Sequence, residues 1–227
     1  MHPTKTGEIF QPFGHKWIAD HDFILNGLQV HTGDDVYKKF FSLDGHNGLD
    51  YIAAFGDPIY AIKDGWIVEQ ISKPTGYGIR LSERIEDCGK FYIVVYGHLQ
   101  RLANNMEVPW NPLNKTYPVK EGDIVGYADS TGFSSGNHLH LGAYETDANG
   151  GYLYPLNGFG GAVDPLPLIA NNMSNAQFVK KAGSFEFGFY LPALSEDALK
   201  DKALNLGLNI LKPDGTIDFS KAKEINL

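Results

Sequence analysis

Short apolar runs separated by glycine-containing turns fill the middle of the chain. The runs are rich in β-branched and aromatic residues, and they cover residues 58–62, 65–71, 78–81, 91–95, 119–125 and 138–144. Runs of this length, bounded by turn-forming residues, are typical of strands. We therefore expect a mainly β fold, with an antiparallel sheet or a sandwich-like core.

Two segments between these runs are predicted to be surface loops. Residues 101–118 contain Asn104, Asn105 and three prolines, and residues 128–136 consist largely of small and turn-forming residues. Such composition favours irregular structure. Long loops in compact domains often carry function, so both loops are candidates for bordering a site.

The two ends of the chain follow other patterns. Residues 1–34 show no clear periodicity and are predicted to be an irregular lead-in packed on the core, with one short strand over 23–30. Residues 35–170 are predicted to form the main domain, and helix signals appear in a C-terminal extension over 171–227. A capping-box spacing predicts a helix over 175–182, and Ser195 with Gly207 predicts a second helix that ends at Leu206.

Composition places the chain among ordinary globular proteins. Its 227 residues are 43% hydrophobic and 20% charged, and the 26 glycines, 14 phenylalanines and 12 tyrosines suit a β-rich fold. A net charge of -8 argues against nucleic acid as a partner, because phosphate binding needs a basic face. The single cysteine, Cys88, excludes an intramolecular disulfide. No apolar run predicts a signal peptide or a transmembrane segment, and we expect a monomer.

Three short stretches that contain histidine carry the candidate chemistry. They are residues 46–50 (HNGLD), 96–99 (YGHL) and 137–142 (NHLHLG). In the last stretch, His138 and His140 are two residues apart, so a strand directs both imidazoles to the same face. On a helix, the two rings would diverge by about 200°. His46 and Asp50 are four apart, which allows both to lie on one side of a strand or a helical turn.

Imidazoles and a carboxylate are ligands that zinc prefers. Zinc held by three protein ligands with an open fourth position can lower the pKa of water to about 7 and polarise a scissile carbonyl. Taken singly, each of the three stretches is a weak signal, since isolated histidines are usually surface or hydrogen-bonded residues. Their order and surroundings make the pattern specific.

Together with their context, these stretches resemble peptidase family M23, the lysostaphin-type or LytM-type zinc endopeptidases of bacterial peptidoglycan. The resemblance runs from about residue 41 to 168. It rests on segments 45–51, 56–61, 64–68, 76–78, 95–99, 119–126, 130–140 and 163–165. The resemblance implies a hydrolase with one Zn²⁺ per chain that cuts amide bonds in stem or cross-bridge peptides at the cell wall.

The resemblance also assigns roles by position. His46, Asp50 and His140 match the zinc ligands, and His98 and His138 match a pair of catalytic histidines. It does not tell which of the two is the base. Two departures are visible: Asn137 stands where relatives usually have proline, and Leu141-Gly142 stands where they often have an aromatic residue and glutamate.

The residues expected at the substrate groove are Tyr77, Tyr96, Phe133 and Asn137. The 131–137 and 101–118 loops would border this groove, and packing in the sheet is the other interpretation of the three aromatic rings. Family members cut either glycine-rich bridges or bonds next to D-amino acids, and the motifs do not choose between them.

Two alternative functions remain open. A non-catalytic wall-binding or amidase-activating module would keep the fold without turnover. A non-haem iron oxygenase would use two histidines and one carboxylate, but the close H-x-D or H-x-E pair is absent and two histidines would have no role. The route of delivery to the cell wall and the role of the C-terminal extension also stay open.

Overall fold

A computed structural model of the chain describes residues 1–103, 107–170, 178–181 and 184–187. The chain divides into two compact units, Met1–Ile169 and Ala170–Leu227. The first unit contains every residue of the predicted site. Neither helix in the described part of the chain is long and apolar enough to cross a membrane.

The described residues form thirteen strands and two short helices. The strands are β1 (Ile9–Gln11), β2 (Phe23–Leu25), β3 (Leu28–Val30), β4 (Leu49–Ile52), β5 (Pro58–Tyr60), β6 (Gly65–Ser72), β7 (Ile79–Asp87), β8 (Lys90–Leu102), β9 (Pro118–Val119), β10 (Ile124–Ala128), β11 (His138–Thr146), β12 (Phe178–Lys181) and β13 (Ser184–Phe187). The helices are α1 (Val36–Phe41) and α2 (Leu166–Ala170). The prediction of a mainly antiparallel β fold is confirmed.

One nine-stranded antiparallel sheet builds the first unit. Its strand order is β1-β4-β11-β8-β7-β6-β9, and β10 pairs with both β5 and β8. The strands β7 and β8 form a hairpin whose two turn residues, Cys88 and Gly89, have φ angles of 49° and 77°. Positive φ at both central residues is the geometry of a tight hairpin turn. Cys88 is exposed, as expected for a turn residue.

The long strand β8 changes partners along its length. Its first part pairs with β11, from Phe91 to Gly97, while Leu99 and Leu102 face β10 on the other side of a break. The break falls at His98, which has a φ angle of 60°. The break therefore lies next to Gly97, which pairs with His140 near the start of β11.

Fully buried aliphatic and tyrosine side chains form the core beneath this sheet. The largest of them are Tyr51, Tyr96, Leu49, Ile59, Ile62, Leu81, Ile85, Ile93, Leu99, Leu139, Leu141 and Ile169. Leu139 and Leu141 alternate with the two histidines of β11, so the apolar face of this strand is buried in the core. The histidine face is thereby directed away from the core, towards the site.

The predicted strand over 119–125 is wrong as a single element. Residues 118–119 form β9 beside β6, and residues 124–128 form β10 beside β5 and β8. Between them, Gly122 adopts a φ angle of 88°, and Lys120 accepts a backbone hydrogen bond from Asp123. A turn therefore separates two strands that belong to different parts of the sheet.

The N-terminal region is more regular than predicted. The strand β1 extends the sheet by pairing with β4, and the predicted single strand over 23–30 is a hairpin of β2 and β3. Asn26 and Gly27 form its turn with φ angles of 50° and 79°. The helix α1 follows, and the side chain of Asp35 caps it by accepting a hydrogen bond from the Lys38 amide.

In the second unit, the helix predicted over 175–182 is wrong where the chain is described. Residues 178–181 form β12, which pairs antiparallel with β13. The aromatic and β-branched pair Phe178-Val179 and the aromatic residues of 184–187 suit a pleated pair more than a helix. The second predicted helix lies outside the described residues.

Candidate metal centre and active-site cleft

Two adjacent strands bring the predicted metal ligands together. In the register of β4 with β11, Asp50 lies directly opposite His140. His46 precedes β4 in the loop that leads into it, and Gly48 stands between His46 and Asp50. Because opposite residues on one face of an antiparallel pair lie close together, the sheet itself brings the carboxylate to the imidazole.

The three side chains present one ligand atom each to a common point. His140 Nδ1 lies 3.0 Å from Asp50 Oδ1 and 3.0 Å from His46 Nε2. His46 Nε2 lies 3.2 Å from Asp50 Oδ1. All three residues are buried, and in the part of the chain that the structure describes they form the only His, Cys, Asp or Glu group suited to a metal ion.

This arrangement fits zinc. Tetrahedral zinc with bonds of about 2.0–2.1 Å to nitrogen and about 2.0–2.2 Å to oxygen keeps its ligand atoms roughly 3.3 Å apart. The three observed separations of 3.0–3.2 Å are close to that spacing. Two imidazoles and one carboxylate are also a ligand set found at catalytic zinc sites, where a fourth position stays open.

The carboxylate of Asp50 stays ionised in this buried position. Burial alone would raise its pKa, but hydrogen bonds from His140 and His46 outweigh burial and hold the pKa well below the ordinary value. Burial lowers the pKa of His140, which keeps this imidazole neutral. An ionised carboxylate beside a neutral imidazole is the protonation state that metal binding requires.

Contacts from outside the ligand set hold the two imidazole ligands in place. His46 Nδ1 lies 3.2 Å from the Pro12 carbonyl oxygen, which directs Nε2 towards Asp50. The His140 ring stacks on Tyr77 with ring centroids 4.9 Å apart. A Cβ atom at Gly48 would lie 2.6 Å from His140 Cε1, so only glycine leaves room for the ring.

The two other predicted histidines lie beside this cluster. His98 and His138 have ring centroids 4.7 Å apart, and His138 Nε2 lies 3.6 Å from Asp50 Oδ1. His98 Nδ1 lies 2.7 Å from the Thr131 carbonyl oxygen, and His138 Nδ1 lies 2.8 Å from the Gly136 carbonyl oxygen. A carbonyl oxygen can only accept, so each Nδ1 is the donor, and Nε2 is the nitrogen that lacks a proton in the neutral form of each ring.

His98 occupies an unusual backbone position. Its φ angle of 60° lies in the left-handed region, which costs about 1–2 kcal/mol for a residue with a Cβ atom. Its amide donates a 2.8 Å hydrogen bond to the Tyr77 carbonyl, and this bond helps to hold the conformation. Burial, followed by repulsion from His140 and His138, lowers the pKa of His98 to about 3. The imidazole is consequently a neutral base at ordinary pH.

A cleft of about 570 Å³ opens above the five groups. Its walls include Tyr77, Phe133 and Asn137, as predicted for the groove. Tyr96 does not line it: this side chain is fully buried, and its hydroxyl donates a 2.7 Å hydrogen bond to Glu83 Oε2. Because β8 alternates, Tyr96 points into the core while the backbone next to it reaches the site. The prediction of Tyr96 as a groove residue is therefore wrong.

The loop over 101–118 also does not border the cleft in the residues that the structure describes. Its first residues belong to β8, and Val108 pairs with Gln70 on the side of β6. The other predicted loop does reach the cleft, through residues 133–137. One wall of the expected groove therefore comes from elsewhere.

The N-terminal segment supplies that wall, and sequence reasoning missed it. Phe10, Trp17, Tyr37 and Phe41 line the cleft, and the Phe10 ring meets the His138 ring edge-on at 5.8 Å. The Tyr37 ring lies 5.4 Å from the His46 ring. No motif marks these residues. The sequence of this segment does contain two local structural signals, the capping residue Asp35 before α1 and the Asn26-Gly27 turn.

Known proteins resemble the part of the chain that carries this site. The family model described as peptidase family M23 matches residues 44–155, which include all five groups. A DD-carboxypeptidase/endopeptidase, Mpg, of Neisseria meningitidis is 32% identical over 115 residues, which are 49% of this chain and 22% of the relative. The glycyl-glycine endopeptidase ALE-1 of Staphylococcus capitis is 31% identical over 117 residues, which are 52% of this chain and 29% of the relative.

A further relative is the peptidoglycan DD-endopeptidase ShyC of Vibrio cholerae, 37% identical over 109 residues, which are 48% of this chain and 21% of the relative. The chain thus spans 21–29% of the length of these three curated relatives. Among solved structures, the catalytic domain of lysostaphin from Staphylococcus simulans is 25% identical, with a TM-score of 0.45. That similarity covers 71% of this chain and 92% of the lysostaphin domain.

The matched region contains the candidate ligands His46, Asp50 and His140 as well as the two further histidines, His98 and His138. Residues 44–155, just under half of the chain, are thus similar to peptidase family M23.

Proposed function

We propose that this protein is a zinc-dependent endopeptidase that hydrolyses amide bonds in the stem or cross-bridge peptides of bacterial peptidoglycan. The observation that carries the proposal is the convergence of His46, Asp50 and His140 on one point beside two histidines with unprotonated Nε2 atoms. The printed names of the relatives support the substrate, since they include peptidoglycan and glycyl-glycine endopeptidases.

His46 Nε2, Asp50 Oδ1 and His140 Nδ1 would hold the ion. When bound there, one zinc ion acidifies water and polarises the scissile carbonyl. The two imidazoles and the one carboxylate leave a net charge near +1 at the centre, and the burial of all three ligands strengthens the effect of that charge.

His98 and His138 move the protons of the reaction. In the resting state, both Nε2 atoms can accept a proton, because both Nδ1 atoms donate to backbone carbonyls. One Nε2 takes the proton of the attacking water and delivers it to the nitrogen of the departing amine. The other ring would stabilise the charge that develops on the carbonyl oxygen when its Nε2 carries a proton taken up from solvent.

The cleft is open enough for an extended peptide, and its volume falls in the range of ordinary ligand sites. We assign the peptide of peptidoglycan as the partner, one zinc ion per chain as the cofactor, a monomer as the working form, and the bacterial cell wall as the place of action. The partner, the cofactor and the place of action rest on the same site and the same relatives.

Metal content and turnover together test the proposal. Purified protein should bind one zinc ion per chain by elemental analysis, and His46→Ala should bind far less. The zinc-loaded protein should release fragments from at least one of several chemically distinct peptidoglycans. The proposal is wrong if all of them stay uncut where a lysostaphin-type relative releases fragments. Bound iron with oxygen-dependent turnover would also overturn it.

A further inference from the structure

Both histidines that move protons depend on one loop. The Thr131 carbonyl accepts from His98 Nδ1, and the Gly136 carbonyl accepts from His138 Nδ1. The loop over 129–137 therefore sets the tautomer and the orientation of both rings. Whatever fixes this loop also fixes the proton-transfer geometry.

The start of the loop is held tightly against the turn before β7. The Phe133 amide donates a 2.7 Å hydrogen bond to the Gly76 carbonyl, and Thr131 Oγ1 accepts from the Ile79 amide at 3.1 Å. A Cβ atom at Gly132 would lie 2.3 Å from the Gly78 nitrogen, so the two backbones touch. Backbone contacts thus fix the loop on the side of β7.

The Phe133 side chain connects the loop to the N-terminal segment. The Phe133 ring meets Phe41 edge-on with centroids 4.8 Å apart, and it lies 5.9 Å from the Phe40 ring. It also packs against a buried cluster whose members all come from the N-terminal segment: Ala19, Leu25, Val30 and Val36. This cluster and α1 lie outside residues 44–155, the part matched by the family model.

We propose that Phe133 is a positioning residue that ties the histidine-holding loop to α1, so that the N-terminal segment sets the orientation of His98 and His138. The proposal rests on the proposed function for its kinetic readout. It assigns Phe133 a role other than the substrate contact expected from the sequence. The ring holds the 129–137 loop between the Gly76 backbone on one side and α1 on the other.

Truncation of Phe133 tests this role. In Phe133→Ala, we expect kcat to fall about 10–100-fold with little change in KM, because small misplacements of catalytic groups are costly. Zinc content should stay at one per chain, because Phe133 is not one of the three candidate ligands. A rise in KM with unchanged kcat would instead identify Phe133 as a substrate contact and overturn the proposal.

Histidine tautomers give a readout that does not need turnover. In ¹⁵N spectra of the histidine-labelled full chain, His98 and His138 should be Nδ1–H tautomers, assigned by comparison with variants that lack each ring. Phe133→Ala should mix these tautomers. If the wild type cleaves nothing, the proposed function fails while this measurement still decides on Phe133. Unchanged tautomers would overturn the positioning role.

Four companion variants keep the test decisive. Phe133→Leu keeps part of the contact, so its kcat should lie between those of Phe133→Ala and the wild type, and it serves if the alanine variant does not fold. Phe41→Ala removes the partner ring. In the double variant of Phe133→Ala and Phe41→Ala, kcat should fall less than it would if the two single effects were additive in free energy. The control is Phe91→Ala, a half-buried ring on β8 that contacts Arg84 and should leave kcat unchanged. Additive effects of Phe133 and Phe41 would contradict the tie.

Discussion

Three of the four imidazoles in the cleft form a hydrogen bond from one ring nitrogen to a backbone carbonyl. His46 uses Pro12, His98 uses Thr131 and His138 uses Gly136. The fourth, His140, has a buried Nε2 without a partner in the described residues, and its ring is held by packing instead. At the scale of single residues, backbone carbonyls and close packing decide which nitrogen faces the site.

Substitution of the two groups of histidines should have different consequences. His138→Ala should lower kcat by about 10²–10⁴-fold, the usual contribution of general acid-base catalysis, while zinc stays bound. His140→Ala should lose both zinc and activity, because it removes a ligand. Metal analysis of each purified variant beside its kcat checks the division.

The exposed His21, which pairs with Asp20, offers the matched control for these two variants. His21→Ala should keep zinc and kcat at the wild-type level. The assignment of roles is wrong if His138→Ala loses zinc as His140→Ala does.

Gly48→Ala should weaken zinc binding. The new Cβ atom would lie 2.6 Å from His140 Cε1 and 2.6 Å from the Leu141 carbonyl oxygen, so the His140 ring must move. Competition with a chromogenic chelator measures the affinity. Gly136→Ala is the control, because nothing lies within 4 Å of its Cβ position. Equal zinc affinities of the two variants would contradict the packing argument.

The stability of the zinc-free protein should fall as the pH drops below about 6.5. Burial, and then repulsion from His140 and His138, lower the pKa of His98 from 6.5 to about 3, so between these values the unfolded chain binds the extra proton. Stability from this neutral imidazole is therefore complete above pH 6.5 and lost towards pH 3.

The midpoint of thermal unfolding, measured across this pH range, checks the effect. His98→Asn should show a smaller decline than the wild type, and asparagine tolerates the left-handed backbone at this position. Parallel curves for the two proteins would show that His98 does not contribute to the decline.

At the scale of elements, the alternation of side chains between the two faces of a strand was the strongest predictor of structure. The H-x-H spacing predicts both imidazoles on one face of a strand, and β11 has this arrangement with Leu139 buried on the other face. Local signals failed where an apolar run contained a turn. Residues 119–125 read as one strand, but their two ends pair with different strands, β9 with β6 and β10 with β5 and β8. Only long-range pairing separates them.

The β2–β3 hairpin provides a test of turn chemistry. Gly27 has a φ angle of 79°, and nothing lies within 4 Å of its Cβ position, so Gly27→Ala adds backbone strain without a clash. The free energy of unfolding should fall by about 1–2 kcal/mol. Denaturant titration measures it, with Gly136→Ala as a control at an ordinary φ angle. Equal losses in the two variants would contradict the assignment of the turn.

Across the whole molecule, the cleft is built from two regions with different sequence signals. Residues 44–155 supply the five polar groups, and their motifs made those residues predictable. The segment before residue 44 supplies aromatic walls, the Pro12 carbonyl that holds His46, and the α1 surface that holds Phe133. These contacts join residues far apart in the chain, and no local spacing marks them. The error at Tyr96 is the reverse. This residue belongs to a motif and was predicted to line the groove, but its side chain points into the core.

The central claim is that water, activated at this centre, cleaves an amide bond of peptidoglycan. A digest of defined muropeptides in ¹⁸O-labelled water, read by mass spectrometry, tests it most directly. The zinc-loaded protein should produce pairs of fragments in which one new amine matches one new carboxylate, and each new carboxylate should carry one ¹⁸O atom. His138→Ala should produce far fewer pairs. Intact muropeptides, or fragments that lack the label, would contradict the account.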